Sequence, residues 1–439
     1  MDKIRLVIII GLCVLIGGCW IVYFRGVEKQ RLEYESYLQS AEENMSRNLF
    51  QKAMEDYEKA LKMKEDQDIR KDWLKAAENA SQDNAITHKA YADALSKYCS
   101  IYPSETEYWE KLVALLVADK SYGDARKYYE RAVKEGVTSE KLEDYSDEIY
   151  YSFSNSRRGF TNVIYSTRGI YTVYGNEKWG IWGADGEPIY DCEYSYIGPA
   201  GRDALYFINT EEDSRIYDGK SVVQSVIKPQ EDVTKAIGDG IVPICNKQKW
   251  KFYDISQGKY ILSEYDDVSV FANGKAVVKK NDKWNIVDKN GDKVGDASFD
   301  DVVLLENGEF IYDGIMIAKT AKGYGIYDAN GAEKTEFKAE QMDFYLGEWL
   351  AFKDKNGKWG FVDVNGEVQI KPEYEEAKSF STGLAAVKKD GKWGFINPKN
   401  KMVIDNIYLN ALYFSNKGIC FVGETSGSYY MLKLRFIKK

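Results

Sequence analysis

Gly383-Leu384-Ala385-Ala386-Val387-Lys388-Lys389-Asp390-Gly391-Lys392-Trp393-Gly394-Phe395-Ile396-Asn397 is the stretch on which the fold turns. Its first run reads as a strand. Asp390-Gly391 is a two-residue hairpin signal, because the favoured hairpin turn needs positive φ at both central positions. The run after it is again β-like, so two antiparallel strands are expected here. Outward from this stretch the phrase returns. Lys178-Trp179-Gly180-Ile181 and Lys358-Trp359-Gly360-Phe361 are near copies. Lys249-Trp250-Lys251-Phe252 and Lys283-Trp284-Asn285-Ile286 are variants, and Gly323-Tyr324-Gly325-Ile326 puts Tyr in place of Trp. With degenerate anchors at Ser214 and Tyr429, the positions 179, 214, 250, 284, 324, 359, 393 and 429 are 34 to 40 residues apart.

After each anchor comes a second tight turn, such as Asp363-Val364-Asn365-Gly366 or Asp328-Ala329-Asn330-Gly331, then a third strand. A connector such as Pro372-Glu373-Tyr374-Glu375 leads to the next unit. Each unit is therefore a three-stranded meander with a short connecting strand or loop. A large ring fills the space between successive units, and Gly removes a side chain where backbones or rings crowd. One unit cannot bury its ring alone, so the units must stack.

These phrases closely resemble the WG-repeat family, over residues 160–439 and most specifically near 349–400. The resemblance implies a repeat protein that binds rather than catalyses. The β-repeat domain is drawn at 155–439. Its last unit stops before its third strand is complete, while residues 160–165 align with the connector at 374–379 and have no unit before them. Pairing the two ends would leave no exposed edge. A propeller-like ring of seven or eight blades is expected, with an open β-solenoid as the alternative.

Residues 30–150 read as helix, being rich in Ala, Glu, Lys and Leu with one Pro, Pro103. The spacing Ala53…Tyr57…Ala60 recurs as Ala125…Tyr129…Ala132, and Trp109 and Leu112 stand three apart upstream of the second. Small residues let two helices approach, and the ring fills the gap beside them. These spacings resemble tetratricopeptide repeats. The resemblance implies an α-solenoid of about three helix pairs whose concave face binds peptides or proteins, with Tyr37 and Asn44 of the first helix on it. The middle pair is expected to start near Asp72 and Asp83. A rigid helical stalk is the competing reading.

The apolar run from Ile4 to Phe24 is 21 residues long, with Arg5 its one charged residue. At about 1.5 Å per residue it spans about 30 Å, the thickness of a hydrocarbon core. A single N-terminal transmembrane helix at residues 1–25 is expected, with a lipoprotein signal ending at Cys19 as the competing reading. The expected placement is a single-pass membrane protein of a bacterial envelope with its body outside the cell. The overall class is then multidomain, α followed by all-β.

Composition narrows the function. The chain carries a net charge of −9, about eight of those charges falling in residues 26–150. No basic stripe is present to displace counterions, so nucleic-acid binding is not expected. The six cysteines form no CxxC, which argues against a zinc site or a disulfide framework. His88 is the only histidine, which removes His-based triads and His metal clusters from the β-domain. Asp288-Lys289-Asn290-Gly291-Asp292 lacks the acidic residue that a calcium loop needs downstream, and its counterparts are hairpin turns. No phosphate-binding Gly loop occurs. No catalytic residue, cofactor or metal is expected.

The repeat rings Trp179, Trp250, Trp284, Trp359 and Trp393 are expected in the core. Trp182, Trp349 and Tyr345 fall off the repeat register and are the candidates for a ligand-facing surface. The leading reading is a membrane-anchored, non-catalytic scaffold that binds a protein or peptide. Carbohydrate or cell-wall binding by the β-repeat head is the alternative, and it needs the off-register rings on one exposed face.

Overall fold

Helices α1 (Asp2–Ser46), α2 (Phe50–Met63), α3 (Gln67–Gln82) and α4 (His88–Ile101) open the chain, followed by α5 (Thr106–Ala118), α6 (Tyr122–Lys134) and α7 (Glu140–Tyr150). The computed structural model describes residues 2–209, 214–218, 221–225, 233–425 and 427–437, without the side chains of 2–19, 21, 22, 157, 224, 225 and 263. The chain divides into two units, Met1–Ile149 and Tyr150–Lys439.

In the helical unit each of the helices α1 to α5 packs against the next. Ala53 and Ala60 are fully buried with Tyr57 beside them, and Ala125, Tyr129 and Ala132 repeat the arrangement on α6. Trp109 and Leu112 are fully buried on α5, and the Trp109 indole donates to the Pro103 carbonyl at 2.8 Å. The middle pair starts elsewhere than expected. The Asp66 carboxylate accepts from the amides of Asp68 and Ile69 and begins α3 at Gln67, while Thr87 accepts from the Ala90 amide and begins α4 at His88.

The expected transmembrane helix and the single-pass, extracellular placement that rests on it are corrected by this unit. Among the described residues no helix is long and apolar enough to cross a membrane. An anchor at residues 1–25 would end near Arg25. Instead α1 continues unbroken to Ser46, carries Arg31 between Glu28 and Glu35, and is tied to α2 where Ser40 and Asn44 donate to Asp56 at 2.7 and 3.1 Å. The side chains at 2–19, 21 and 22, on which the reading rested, lie outside the described residues.

Among the described residues the second unit forms eight antiparallel sheets, the blades of a β-propeller. In chain order they occupy 162–194, 196–225, 241–265, 267–288, 301–328, 341–374, 376–408 and 410–434. The eighth blade takes its outermost strand from Phe153–Phe160, which pairs antiparallel with Ser428–Leu434 and sets Phe153 opposite Leu434. This exchange between the first and last strands closes the ring and covers what would be an open edge. The open solenoid is thereby set aside.

Each Trp-Gly pair sits on the third strand of its blade, and the fourth strand explains the Gly. In the sixth blade Trp359 pairs with Tyr374 while Phe361 pairs with Ile370, so Gly360 alone faces residues 371–373. The bulged backbone folds onto the glycine. Gly180 and Gly394 face the same bulge in the first and seventh blades. In the third blade Lys251 takes the glycine's place, and the bulge is accommodated with Leu262 at φ +64°.

Candidate binding sites

The repeat rings stand between strands and between blades. Trp284 and Trp393 are buried, and Trp179, Trp250 and Trp359 are half-buried. Trp179 packs against Tyr174 at 4.9 Å, and the Lys235 ammonium lies 4.5 Å over the Trp250 ring. Tyr324 is also half-buried and its hydroxyl donates to Asp301 Oδ2 at 2.5 Å, while Gly325 leaves room for the Lys338 side chain.

The off-register rings do not form a face. Trp182 is buried against Phe160 at 5.0 Å, with the Arg158 guanidinium 4.7 Å above it. Tyr345 is buried edge-on to Tyr312 at 6.3 Å. Trp349 is half-buried against Phe380 at 5.3 Å. Both covering residues of Trp182 belong to the closing strand, which lies in the eighth blade and not in its own, and this is why its burial was hidden from local pattern.

The ring centre holds residues that sequence reasoning missed. In the fifth blade the innermost strand is split into Asp301–Val302 and Ile311–Tyr312, both pairing with Ile315–Thr320, and residues 303–310 leave the sheet between them. That excursion bonds four other blades. Asn307 Nδ2 donates to the Ala200 carbonyl at 2.9 Å in the second blade. The Asn307 carbonyl accepts from Ala236 at 2.8 Å ahead of the third, and the Gly308 carbonyl accepts from Val270 at 2.9 Å in the fourth. Glu309 Oε2 accepts from the Thr167 amide at 2.7 Å in the first. A loop that reaches four other blades must run through the ring's centre. Leu305 joins Tyr165, Phe344, Leu346 and Tyr413 in one buried cluster.

Glu309 is 1% exposed, and its Oε1 and the buried Ser166 Oγ have no hydrogen-bond partner. Burial raises the Glu309 pKa, against the opposing pull of the Thr167 and Asn307 hydrogen bonds and of Arg202. The sequence did carry a signal for this loop. The interval from Trp284 to Tyr324 is 40 residues, against 34 or 35 for the intervals on either side of it, and the surplus falls in the loop.

The acidic turns use their carboxylates internally. Asp288 Oδ1 accepts from the amides of Asn290 and Asp292 at 2.8 and 2.9 Å, the hydrogen bonding of a self-contained turn. No group of three or more His, Cys, Asp or Glu side chains that could hold a metal ion occurs among the described residues. His88 lies on α4 with Nδ1 2.9 Å from Asp119 Oδ1.

A groove of about 750 Å³ lies in the helical unit between α2 and α4. Its floor is Met54, Trp73, Ile86, Ala90 and Ala94. Gln51 donates to the Ala85 carbonyl at 3.2 Å beside it, Lys97 pairs with Glu58 at 2.9 Å within its lining, and the lining continues past that pair to Lys62. Trp73 is held by the Arg70 guanidinium at 5.3 Å and the Lys97 ammonium at 5.5 Å. Buried Arg70 pairs with Glu58 at 3.4 Å and with Glu65, and its hydrogen bond holds the Glu65 carboxyl below its usual range. This volume is that of a small-ligand or side-chain pocket. It lies on the second helix of each pair, and neither Tyr37 nor Asn44 lines it.

Residues 252–284, 359–393 and 393–424 match the family described as the WG containing repeat. The chain thus carries WG repeats in the stretch 252–424, and the match does not confirm tetratricopeptide repeats in the helical unit. No curated protein matches. Among solved structures, Kluyveromyces lactis Hsv2 is similar at 11% identity, over 65% of this chain and 100% of that one, with a TM-score of 0.37. A structure described as the eukaryotic initiation factor is similar at 12% identity, over 63% of this chain and 84% of that one, with a TM-score of 0.38. The propeller is established by the sheet order and the closing strand, and not by these likenesses.

Proposed function

We propose that this chain is a non-catalytic interaction protein, a scaffold that binds a protein or peptide partner through its helical unit and carries a closed WG-repeat propeller as its rigid second part. The observation that carries the reading is the groove between α2 and α4, with an apolar floor and charged walls. A propeller with WG repeats supports an interaction role, and the loop 303–310 crosses the ring to bond four other blades. The helical unit is read as tetratricopeptide-like, from the buried Ala-Tyr-Ala triads on α2 and α6. Carbohydrate binding by stacking rings is not favoured, since Trp182 and Tyr345 are buried.

The test is site-specific photo-crosslinking in the full chain, with a benzoylphenylalanine at Met54 and a second at exposed Lys355 of the propeller, against a displayed random peptide library. Enrichment and crosslinking of a peptide class at position 54 and not at 355 supports the reading. Peptides that crosslink at neither position, or equally at both, overturn it.

A further inference from the structure

In five blades of the propeller the hairpin ahead of the repeat ring holds two residues, as between Lys280 and Lys283 or between Lys389 and Lys392. In the sixth blade Lys353 pairs with Trp359, and five residues, 354–358, stand between them. The longer turn is held from within: Asp354 Oδ1 accepts from the amides of Asn356 and Lys358 at 2.9 Å each. This turn raises one wall of a cleft of about 600 Å³ between the fifth and sixth blades. The other wall is the outer segment of the fifth blade from Phe337 to Glu340, with Lys322 and Gly323 of that blade's own hairpin. On the floor Phe337 and Phe352 meet edge to face with ring centroids 5.0 Å apart.

The charges of the cleft do not cancel. Lys322, Lys338, Lys353 and Lys355 line it together with Glu340 and Asp354. Glu333 lies just outside, paired with Lys338 and attracting Lys322 as well. With Glu333 counted, four ammonium groups meet three carboxylates, and one positive charge is left over. Next along the chain Lys334 offsets Glu336, and Lys358 adds to the surplus. Asp354 is engaged by the amides of its own turn. Lys353, Lys355 and Glu340 take part in none of the ion pairs found among the described residues, whereas Lys338 is fixed by Glu333 and by the Phe337 carbonyl at 3.0 Å.

We infer that the cleft between the fifth and sixth blades binds a small organic monoanion, a carboxylate on an apolar body, with the body on Phe337 and Phe352 and the carboxylate among Lys322, Lys353 and Lys355. The inference is independent of the groove in the helical unit. A volume of about 600 Å³ is that of a small-ligand site. An aromatic floor takes the body, and the lysines at the rim take the charge. A cation meets the surplus with like charge. A neutral molecule leaves the surplus unmatched.

The test uses the full chain and four probes, phenylacetate, acetate, phenethylammonium and phenyl phosphate, titrated by ligand-observed saturation-transfer NMR. Phenylacetate is expected to bind at least tenfold more tightly than acetate, which lacks the apolar body, and phenethylammonium is expected not to compete. Lys322→Glu with Lys355→Glu, both at exposed positions, turns two attractions into repulsions and is expected to weaken phenylacetate about tenfold or more. Lys280→Glu with Lys389→Glu makes the same change of charge on the hairpins of the fourth and seventh blades, again at exposed positions. That pair is expected to leave binding within about twofold. If both double variants weaken phenylacetate alike, or if it does not bind, the cleft is overturned as the site. If phenethylammonium competes as well as acetate does, or phenyl phosphate binds more than tenfold tighter than phenylacetate, the monoanion assignment is overturned. An acidic nine-residue peptide that binds more tightly than phenylacetate, and loses that binding in the Lys322 and Lys355 variant, would make the occupant a polypeptide and overturn the small-molecule assignment.

Discussion

Gly360 lies directly against the carbonyl of Ile370: a Cβ on Gly360 would sit 2.5 Å from that oxygen and 2.7 Å from the Pro372 nitrogen. Both neighbours are backbone atoms of the bulged fourth strand, so neither swings aside as a side chain would. Gly394 stands in the same relation to Ile404 at 2.6 Å, and Gly180 to Tyr190 at 2.7 Å. The glycine of the Trp-Gly pair is thus fixed by the bulge opposite it. Gly360→Ala is expected to destabilise the propeller by about 1–3 kcal/mol, the usual range for overpacking. Gly391, in the hairpin turn at φ +73° with nothing within 4 Å, is the control. Gly391→Asn is expected to cost only a few tenths, about 0.5 kcal/mol or less, because Asn tolerates that φ. Urea unfolding of the two variants compares them. Equal losses would mean the bulge does not set the requirement.

Where the sequence was legible, local physics was the reason. Asp390-Gly391 forms its hairpin turn with φ +51° and +73°, as its residue types dictate. Ring closure was legible in outline, since the last unit lacked a strand, but the segment that supplies it is Phe153–Phe160, while 162–165 opens the first blade instead. What was hidden is non-local. Trp182 stood outside the repeat register and read as a surface ring, yet Arg158 and Phe160 of the closing strand cover it. The long interval between Trp284 and Tyr324 marked an insertion, but spacing has no direction. Only the bonds of Asn307, Gly308 and Glu309 to other blades show that the surplus runs inward. In the helical unit, the Ala-Tyr-Ala triads were legible as packing positions. The groove was not, because Trp73 and Ala90 come from helices whose starts are set by the caps Asp66 and Thr87.

One buried hydroxyl bridges the seam between the first and eighth blades. Tyr171 in the first blade is fully buried and its hydroxyl lies 2.9 Å from the Tyr413 carbonyl and 2.6 Å from the Ile419 carbonyl, both in the eighth. Tyr171→Phe keeps the ring's volume and removes the donor. The Ile419 carbonyl keeps the Ser415 amide, so the expected loss is that of one hydrogen bond, about 0.5–1.5 kcal/mol. Thermal and urea unfolding measure the loss, and native-state hydrogen exchange locates it. Amides of Ile419–Thr425 and Tyr171–Gly175 are expected to exchange faster than those of the fifth blade. Unchanged protection at the seam would contradict this role.

Asn307 ties the inserted loop to two blades at once, through Nδ2 to Ala200 and through its carbonyl to Ala236. Its Oδ1 also accepts from the Glu309 amide at 3.1 Å. Asn307→Ala keeps the main-chain bond and removes both side-chain bonds, leaving buried partners unsatisfied. A loss of about 2–4 kcal/mol is expected from two such groups at ~1–3 kcal/mol each, reduced where the groups relax. The readout is again urea unfolding. A loss below about 0.5 kcal/mol, the scatter of ordinary surface substitutions, would show that the loop is not held by this residue.

Glu309 makes the propeller's stability depend on pH in a direction that can be worked out. Burial raises its carboxyl in the folded chain above the value it has when unfolded. Between those two values the folded chain holds a proton that the unfolded chain has released. Stability from this group is therefore fully present below the ordinary glutamate range and falls as pH rises through the raised value. Arg202 opposes the shift, as do the hydrogen bonds of Thr167 and Asn307. Glu309→Gln keeps an acceptor for the Thr167 amide and carries no charge at any pH. The variant is expected to match the parent chain at the acidic end of that window and to exceed it at the alkaline end, with a flatter profile between. Unfolding free energies measured across the window decide it. A variant that loses stability equally at every pH would mean that Glu309 acts in the ring's centre through shape and hydrogen bonding alone, and not through its proton.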